Sequence, residues 1–248
     1  MRTFKLTLAY DGSNYSGWQI QPGRETLQET FERALAKITG ETIRVTASGR
    51  TDAGVHALGQ VVSFRSETQL APGVIERGLN AELPHDMAVL SVIEASESFH
   101  ATGDALRKRY RYVLHDGPIR DVFQRRYLWH VRSRLDDAAM HRASQALRGT
   151  HDFSSFETHG SERESSVRTI FDVGVARGQG EKTDCLTVEV EADGFLYNMV
   201  RAIVGTLVEV GRGTQTQQWP SQVLAACDRR AAGQTAPPQG LFLVRVDY

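Results

Sequence analysis

Ser48-Gly49-Arg50-Thr51-Asp52-Ala53-Gly54-Val55-His56-Ala57 is the stretch on which the fold reading turns. Residues 43–47 before it and 60–64 after it have the apolar, β-branched character of strands. The stretch therefore reads as a strand–loop–strand crossing. Gly49 and Gly54 bracket four residues, which suits tight or left-handed backbone on both sides. Inside sit a cation, a hydroxyl and a carboxylate. A loop held by strands at both ends can present that carboxylate rigidly, and a nearby Arg favours its ionised form. An ionised, positioned carboxylate serves as nucleophile or base. The plain alternative is an Asp-Ala-Gly turn with a solvent-facing Arg–Asp pair.

Working outward, Phe4, Leu6, Leu8 and Tyr10 alternate with polar or small residues, as in a strand. Asp11-Gly12-Ser13-Asn14 opens a loop carrying Tyr15 and Trp18, which either stack on a ligand or fold onto the core. Thr26-Leu27-Gln28-Glu29 has the form of a capping box, and Leu27, Phe31, Leu35 and Ile38 continue at helical spacing. A short helix is expected over 72–80 and a strand over 87–93. The first half thus reads strand–helix–strand–strand–helix–strand, which fits helices packed on one face of a mainly antiparallel sheet.

In residues 108–115, Tyr110, Tyr112 and Leu114 share one strand face and Arg109 and Arg111 the other. Helices are expected over 136–148, 199–210 and 220–229, and strands over 167–175, 185–192 and 241–246. A polar loop, 152–166, contains His159, Arg163 and Glu164. The second half roughly repeats the order of the first, without a residue-level repeat. The expectation is an α+β fold of two similar halves, 1–104 and 105–248, with an active-site cleft between them.

The net charge of −1 does not suggest a polyanion binder, but its distribution does. Residues 105–134 hold nine Lys or Arg and two acidic residues, inside a chain that is otherwise acidic. Phosphates respond to local potential, so the block is a candidate RNA-binding surface. Cys185 and Cys227 are far apart, with no C-x-x-C, which argues against a disulfide framework or a zinc site. No apolar run reaches a membrane span, no signal-like start is present, and a cytoplasmic location is expected.

Gly49-Arg50-Thr51-Asp52-Ala53-Gly54-Val55-His56-Ala57 resembles the catalytic motif of TruA-type tRNA pseudouridine synthases. The resemblance continues at Tyr10-Asp11-Gly12, Gly17-Trp18-Gln19, Arg109-Tyr110-Arg111-Tyr112, Met199-Val200-Arg201, Ile203-Val204-Gly205 and Gly240-Leu241. It implies isomerisation of uridine to pseudouridine at positions 38, 39 and 40 of the tRNA anticodon arm, by a homodimer. The implied nucleophile is Asp52, attacking either the ribose carbon or C6 of the base. Tyr110 stacks on the target uracil or helps move a proton. Arg50 fills the vacated space or holds a phosphate. Arg201, a cation in an apolar helix turn, needs a partner, and the resemblance makes that partner Asp52. No cofactor or metal is implied, and the chain has no P-loop, no Rossmann glycines and no clustered metal ligands.

One departure stands out: Thr102 follows Phe99-His100-Ala101 where the family usually has Arg. That puts one RNA contact in question and makes Arg107 or Lys108 a possible substitute. Two competing readings remain. A non-catalytic RNA-binding module also combines aromatics with basic flanks. A glycosidic hydrolase needs a second carboxylate, which the Asp52 loop lacks.

Overall fold

The computed structural model describes residues 1–158 and 165–248. His159, Arg163 and Glu164 of the expected polar loop lie outside the described residues. In chain order the elements are β1 (Arg2–Tyr10), α1 (Leu27–Thr39), β2 (Thr46–Ala47), β3 (His56–Ser66), α2 (Pro72–Glu82), β4 (Met87–Ala95), β5 (Arg107–His115) and β6 (Trp129–His130). They continue with α3 (Asp137–Ser144), β7 (Gly149–Asp152), β8 (Val167–Arg177), β9 (Cys185–Ala192), α4 (Met199–Gly211), α5 (Trp219–Ala226) and β10 (Leu241–Asp247). The fold is α+β and its strand pairing mainly antiparallel. Among the described residues no helix is long and apolar enough to cross a membrane.

The chain forms two compact units: Met1–Leu106 with Phe242–Tyr248, and Arg107–Leu241. The boundary expected at 104/105 thus falls two residues later, and the last seven residues return to the first unit. They do so because β10 pairs in parallel with β3, Phe242 opposite His56.

In the first unit the strand order is β4-β1-β3-β10, with β2 also on β3. β1 runs antiparallel to β3 and β4. Phe4, Leu6 and Leu8 are wholly buried, as are Leu27, Phe31 and Leu35 of α1 and Ile75 and Leu79 of α2. The alternation of β1 and the helical spacing of α1 are thus spent on one apolar core. The opposite side of β1 is also covered, since the Lys5 ammonium lies 5.3 Å from the Phe99 ring centre and 4.0 Å from that of Tyr248.

The expected capping box at α1 does not form. Thr26 is extended, buried, and makes no side-chain cap bond. The helix start is held instead by backbone: Leu27 N–H donates to Gly17 O (3.1 Å) and Gln28 N–H to Trp18 O (3.0 Å). Those acceptors relieve the unpaired first-turn donors of the helix. They also tie the Tyr15–Trp18 loop to α1. Tyr15 and Trp18 are buried, with Trp18 tilted on Tyr10 at 6.0 Å, so both serve the core.

In the second unit the order is β5-β9-β8-β7, antiparallel throughout, with β6 parallel to β5. The face division of β5 is as expected: Tyr110, Tyr112 and Leu114 are buried. Its arginine face is not a free basic stripe. Arg109 and Arg111 stand opposite Glu191 and Glu189 of β9. Arg109 donates to Glu191 (2.9 Å), Glu189 (3.0 Å) and Asp172 (3.3 Å), and Arg111 to Glu189 (2.7 Å). Arg107 lies 3.5 Å from Glu191 and over the Phe171 ring. Opposite charges directly across strands stabilise pairing and fix register. Counting charge along the chain missed this, because the neutralising residues lie some eighty positions downstream.

A second knot of charge holds the base of this unit. Asp116 has a fully buried side chain. It accepts from Arg177 Nη1 and Nη2 (3.0 Å each), Arg134 Nη1 (3.2 Å) and Leu135 N–H (2.9 Å). Burial alone would push its pKa up. The Arg177 and Leu135 hydrogen bonds, with the charges of Arg177 and Arg134, outweigh that and hold it below the ordinary carboxylate value.

Candidate active site

The loop between β2 and β3 is clamped at both ends by a buried polar network. Ser48 Oγ donates to Gln60 Oε1 (2.6 Å). Gln60 Nε2 donates to the Gly49 carbonyl (2.9 Å) and the Tyr10 hydroxyl (3.3 Å). The Tyr10 and Thr51 hydroxyls are 2.8 Å apart, and Tyr10, accepting from Gln60, has its proton free for Thr51. Ser48 and Gln60 are wholly buried, and Tyr10 and Thr51 nearly so. Burial pushes the Tyr10 pKa up to about 12, against smaller lowering by its bonds to Thr51 and Gln60, so it stays a neutral hydroxyl. A fully satisfied buried network of this kind is rigid, because each broken bond would leave an unpaired polar group out of water.

Backbone contacts complete the clamp. Ser48 N–H donates to Val61 O (2.8 Å) and Trp18 N–H to Thr51 O (2.9 Å). Gly17 has φ 89°, and a Cβ there would lie 2.9 Å from Thr51 O, so only glycine brings the α1 loop this close. Val55 N–H donates to Asp52 O (3.1 Å), closing a turn whose third residue, Gly54, has φ 76°. Behind the turn, buried His56 stacks on Phe242 at 4.7 Å and lies with Nδ1 3.1 Å from Gly12 N and 3.1 Å from Asp11 Oδ1.

Asp52 projects from this frame half-buried, and Arg50 beside it is exposed. Arg50 makes no hydrogen bond or ion pair among the described residues. Its charge is therefore available to a ligand.

Tyr110 and Arg201 belong to the second unit. Tyr110 on β5 packs edge-on against Phe195 at 5.0 Å and is nine-tenths buried. Arg201 lies in the first turn of α4. Its Nε donates to Ala236 O (2.7 Å) and its Nη1 to Asn198 Oδ1 (2.6 Å). Asn198, left-handed at φ 62°, in turn donates to Thr158 Oγ1 (3.1 Å). These bonds orient the guanidinium along one edge. Tyr112, whose hydroxyl donates to Pro237 O (2.7 Å), is pushed well above the ordinary phenol value by burial, with the Arg201 charge pulling the other way.

The structure thus puts Arg50 and Asp52 on one loop of the first unit, and Tyr110 and Arg201 on β5 and α4 of the second. Sequence reading did not single out Ser48, Thr51, Tyr10 or Gln60 as the clamp. A glutamine at an inward position of an otherwise apolar strand was the available signal. Thr102, at the position of the departure noted above, donates to Ala47 O (2.6 Å), so its hydroxyl ties the segment after Phe99-His100-Ala101 to β2. Among the described residues no group of three or more His, Cys, Asp or Glu side chains is placed to hold a metal ion.

A carboxylate on a rigid two-ended loop is suited to covalent or base chemistry on one positioned substrate atom. The chain belongs to the tRNA pseudouridine synthase family, whose profile matches residues 7–102 and 143–248. It is 46% identical over 248 residues to the tRNA pseudouridine synthase A of Geobacter sulfurreducens, covering the whole of both chains. It is also 46% identical over 250 residues to that of Moorella thermoacetica, and 41% identical over 248 residues to that of Thermoanaerobacter sp. (strain X514), again over the full length of both. The chain is accordingly an isomerase, and the readings as a binding module or a hydrolase fall away.

Proposed function

We propose that the protein converts uridine to pseudouridine at positions 38, 39 and 40 of the tRNA anticodon arm, with Asp52 as nucleophile. The observation that carries this is the clamped Asp52 loop: a carboxylate borne on a loop held at both ends by the Ser48, Gln60, Tyr10 and Thr51 network. In the reaction the bond between ribose C1′ and N1 breaks and one between C1′ and C5 forms. The C5 proton is lost and N1 gains one, so atoms balance and no electrons are exchanged. Asp52 attacks either C1′ or C6 of the uracil. Tyr110 stacks on the base or moves the proton. Arg201 is the cation that keeps Asp52 charged. Arg50 takes the space of the extruded base or a phosphate beside it. A target base in a folded arm must leave its stack to be reached. The working unit is proposed to be a cytoplasmic homodimer.

The test is incubation with an unmodified tRNA transcript followed by nucleoside analysis. Pseudouridine is expected, and it should vanish when uridines 38–40 are replaced by cytidine. Release of free uracil, or binding with no change of base, would defeat the reading.

The clamp makes its own prediction. Gln60→Leu removes three hydrogen bonds and lets the loop relax. A displacement near 1 Å can cost about 10²-fold in rate. Single-turnover product formation should fall by about that factor, while tRNA affinity, set mostly by phosphate contacts, changes little. A folded variant with the normal rate would show that the network does not position Asp52.

A further inference from the structure

The basic block of residues 105–134 divides sharply by pairing. Arg107, Arg109, Arg111 and Arg134 are taken up by Glu189, Glu191, Asp172, Asp116 and Asp184. Arg120 and Arg125 pair with no carboxylate among the described residues; Arg125 only donates to the carbonyl of Val122 (2.6 Å). These two lie in the connection from β5 to β6. The same short segment carries Phe123 at 86% exposure and Ile119 at 79%, the two most exposed large apolar side chains among the described residues.

The segment has a built shape. Asp121 Oδ1 accepts from Phe123 N–H (2.8 Å) and Gln124 N–H (3.0 Å), and Tyr127 N–H closes on Gln124 O (2.8 Å). The one carboxylate of the segment is thus spent on a turn that presents Phe123. At its base, Val131 N–H donates to His115 O (2.8 Å), and His130 Nε2 lies 2.9 Å from Gly117 O. An aromatic ring standing clear of the protein costs hydration free energy unless something covers it.

We propose that residues 118–126 form a second RNA-contacting element, apart from the Asp52 loop. Phe123 stacks on an unpaired base of the substrate tRNA, and Arg120 and Arg125 hold the flanking phosphates. This rests on the reading of the chain as a tRNA-modifying enzyme. Charge complementarity selects the occupant. A cationic patch facing itself across a two-fold axis would repel, whereas a polyanion with splayed bases supplies both the phosphates and the π-face.

The experiment uses the full chain and an unmodified tRNA transcript in filter binding across a salt series, with sedimentation of each variant. Stacking of one base is worth enough that Phe123→Ala should weaken binding about 5- to 100-fold. Phe123→Tyr should bind normally, and Phe123→Leu, apolar but without a π-face, should stay weak. Arg120→Ala with Arg125→Ala should lower the slope of log affinity against log salt by about 1–2. The folding of these variants is checked by their melting curves, which should be unchanged for side chains this exposed. Normal affinity of Phe123→Ala, or full recovery by Phe123→Leu, overturns the proposal. So does a loss of self-association on Phe123→Ala, which would assign the patch to a second copy of the chain. Pseudouridine formation by the wild type is scored separately, so a failure of the enzymatic reading is not mistaken for a failure of this one.

Discussion

Asp52→Asn should yield no detectable pseudouridine in a single turnover, a loss of about 10⁴–10⁶-fold, the scale of removing an essential nucleophile. Asparagine has nearly the same shape and can keep a hydrogen bond, but it lacks the charge and is a far poorer nucleophile. The loop should survive the change. Its clamp uses Ser48, Gly49, Thr51, Tyr10 and Gln60, and from Asp52 the turn takes the backbone carbonyl. Binding of tRNA should be largely retained, because phosphate contacts dominate affinity and lie on other residues. Quench-flow or manual single-turnover sampling with nucleoside analysis measures the first quantity, and filter binding the second. Ready product formation by a folded Asp52→Asn protein would end the assignment of Asp52 as nucleophile.

The largest effect on stability should come from Asp116→Asn. Both carboxylate oxygens are used, and the side chain has no access to water. The amide presents an NH2 to a guanidinium and leaves Arg177 under-compensated. Breaking a buried pair costs roughly 3–5 kcal/mol, or about 6–20 °C in melting temperature for a chain of this size. Asp116→Asn combined with Arg177→Met should recover part of the loss. The same group sets an acid limit. Its folded pKa is lowered, so its contribution is fully present above the unfolded value near 4 and drains away as pH falls through the lower folded value. The Asn variant should therefore show a flatter loss of stability in acid. Calorimetric scans at several pH values check both points, and an unchanged melting temperature at neutral pH would contradict them.

Elements whose signal is local were legible in the sequence. β1 announced itself by alternation, α1 by helical spacing, and the Asp52 stretch by strands on both sides. What stayed hidden depends on residues distant in the chain. The Thr26 cap failed because Gly17 and Trp18 offer better-placed acceptors, which only the folded loop reveals. β6 has two residues and β7 four, too short for any periodicity, and they exist because β5 and β8 template them. The arginines of β5 looked free because Glu189 and Glu191 become their neighbours only through the β5–β9 pairing. The position of Asp52 as a loop carboxylate was readable. The reason that loop is stiff was not, since Gln60 reaches from β3 to β1, to a tyrosine fifty residues earlier.

The pairing of β10 with β3 bears on how the enzyme is made. β3 begins at the residue after the Asp52 turn, and this first residue, His56, is covered by Phe242. At about 5–20 residues per second, the ribosome needs on the order of 10–40 s to travel from β3 to β10. For that interval the nascent first unit has an open strand edge beside the Asp52 turn and no ring over His56. The second unit, contiguous in the chain, can close on itself meanwhile. Completion of the sheet at the start of β3 thereby waits for β10, and chaperone engagement during synthesis should concentrate on the exposed edge of β3.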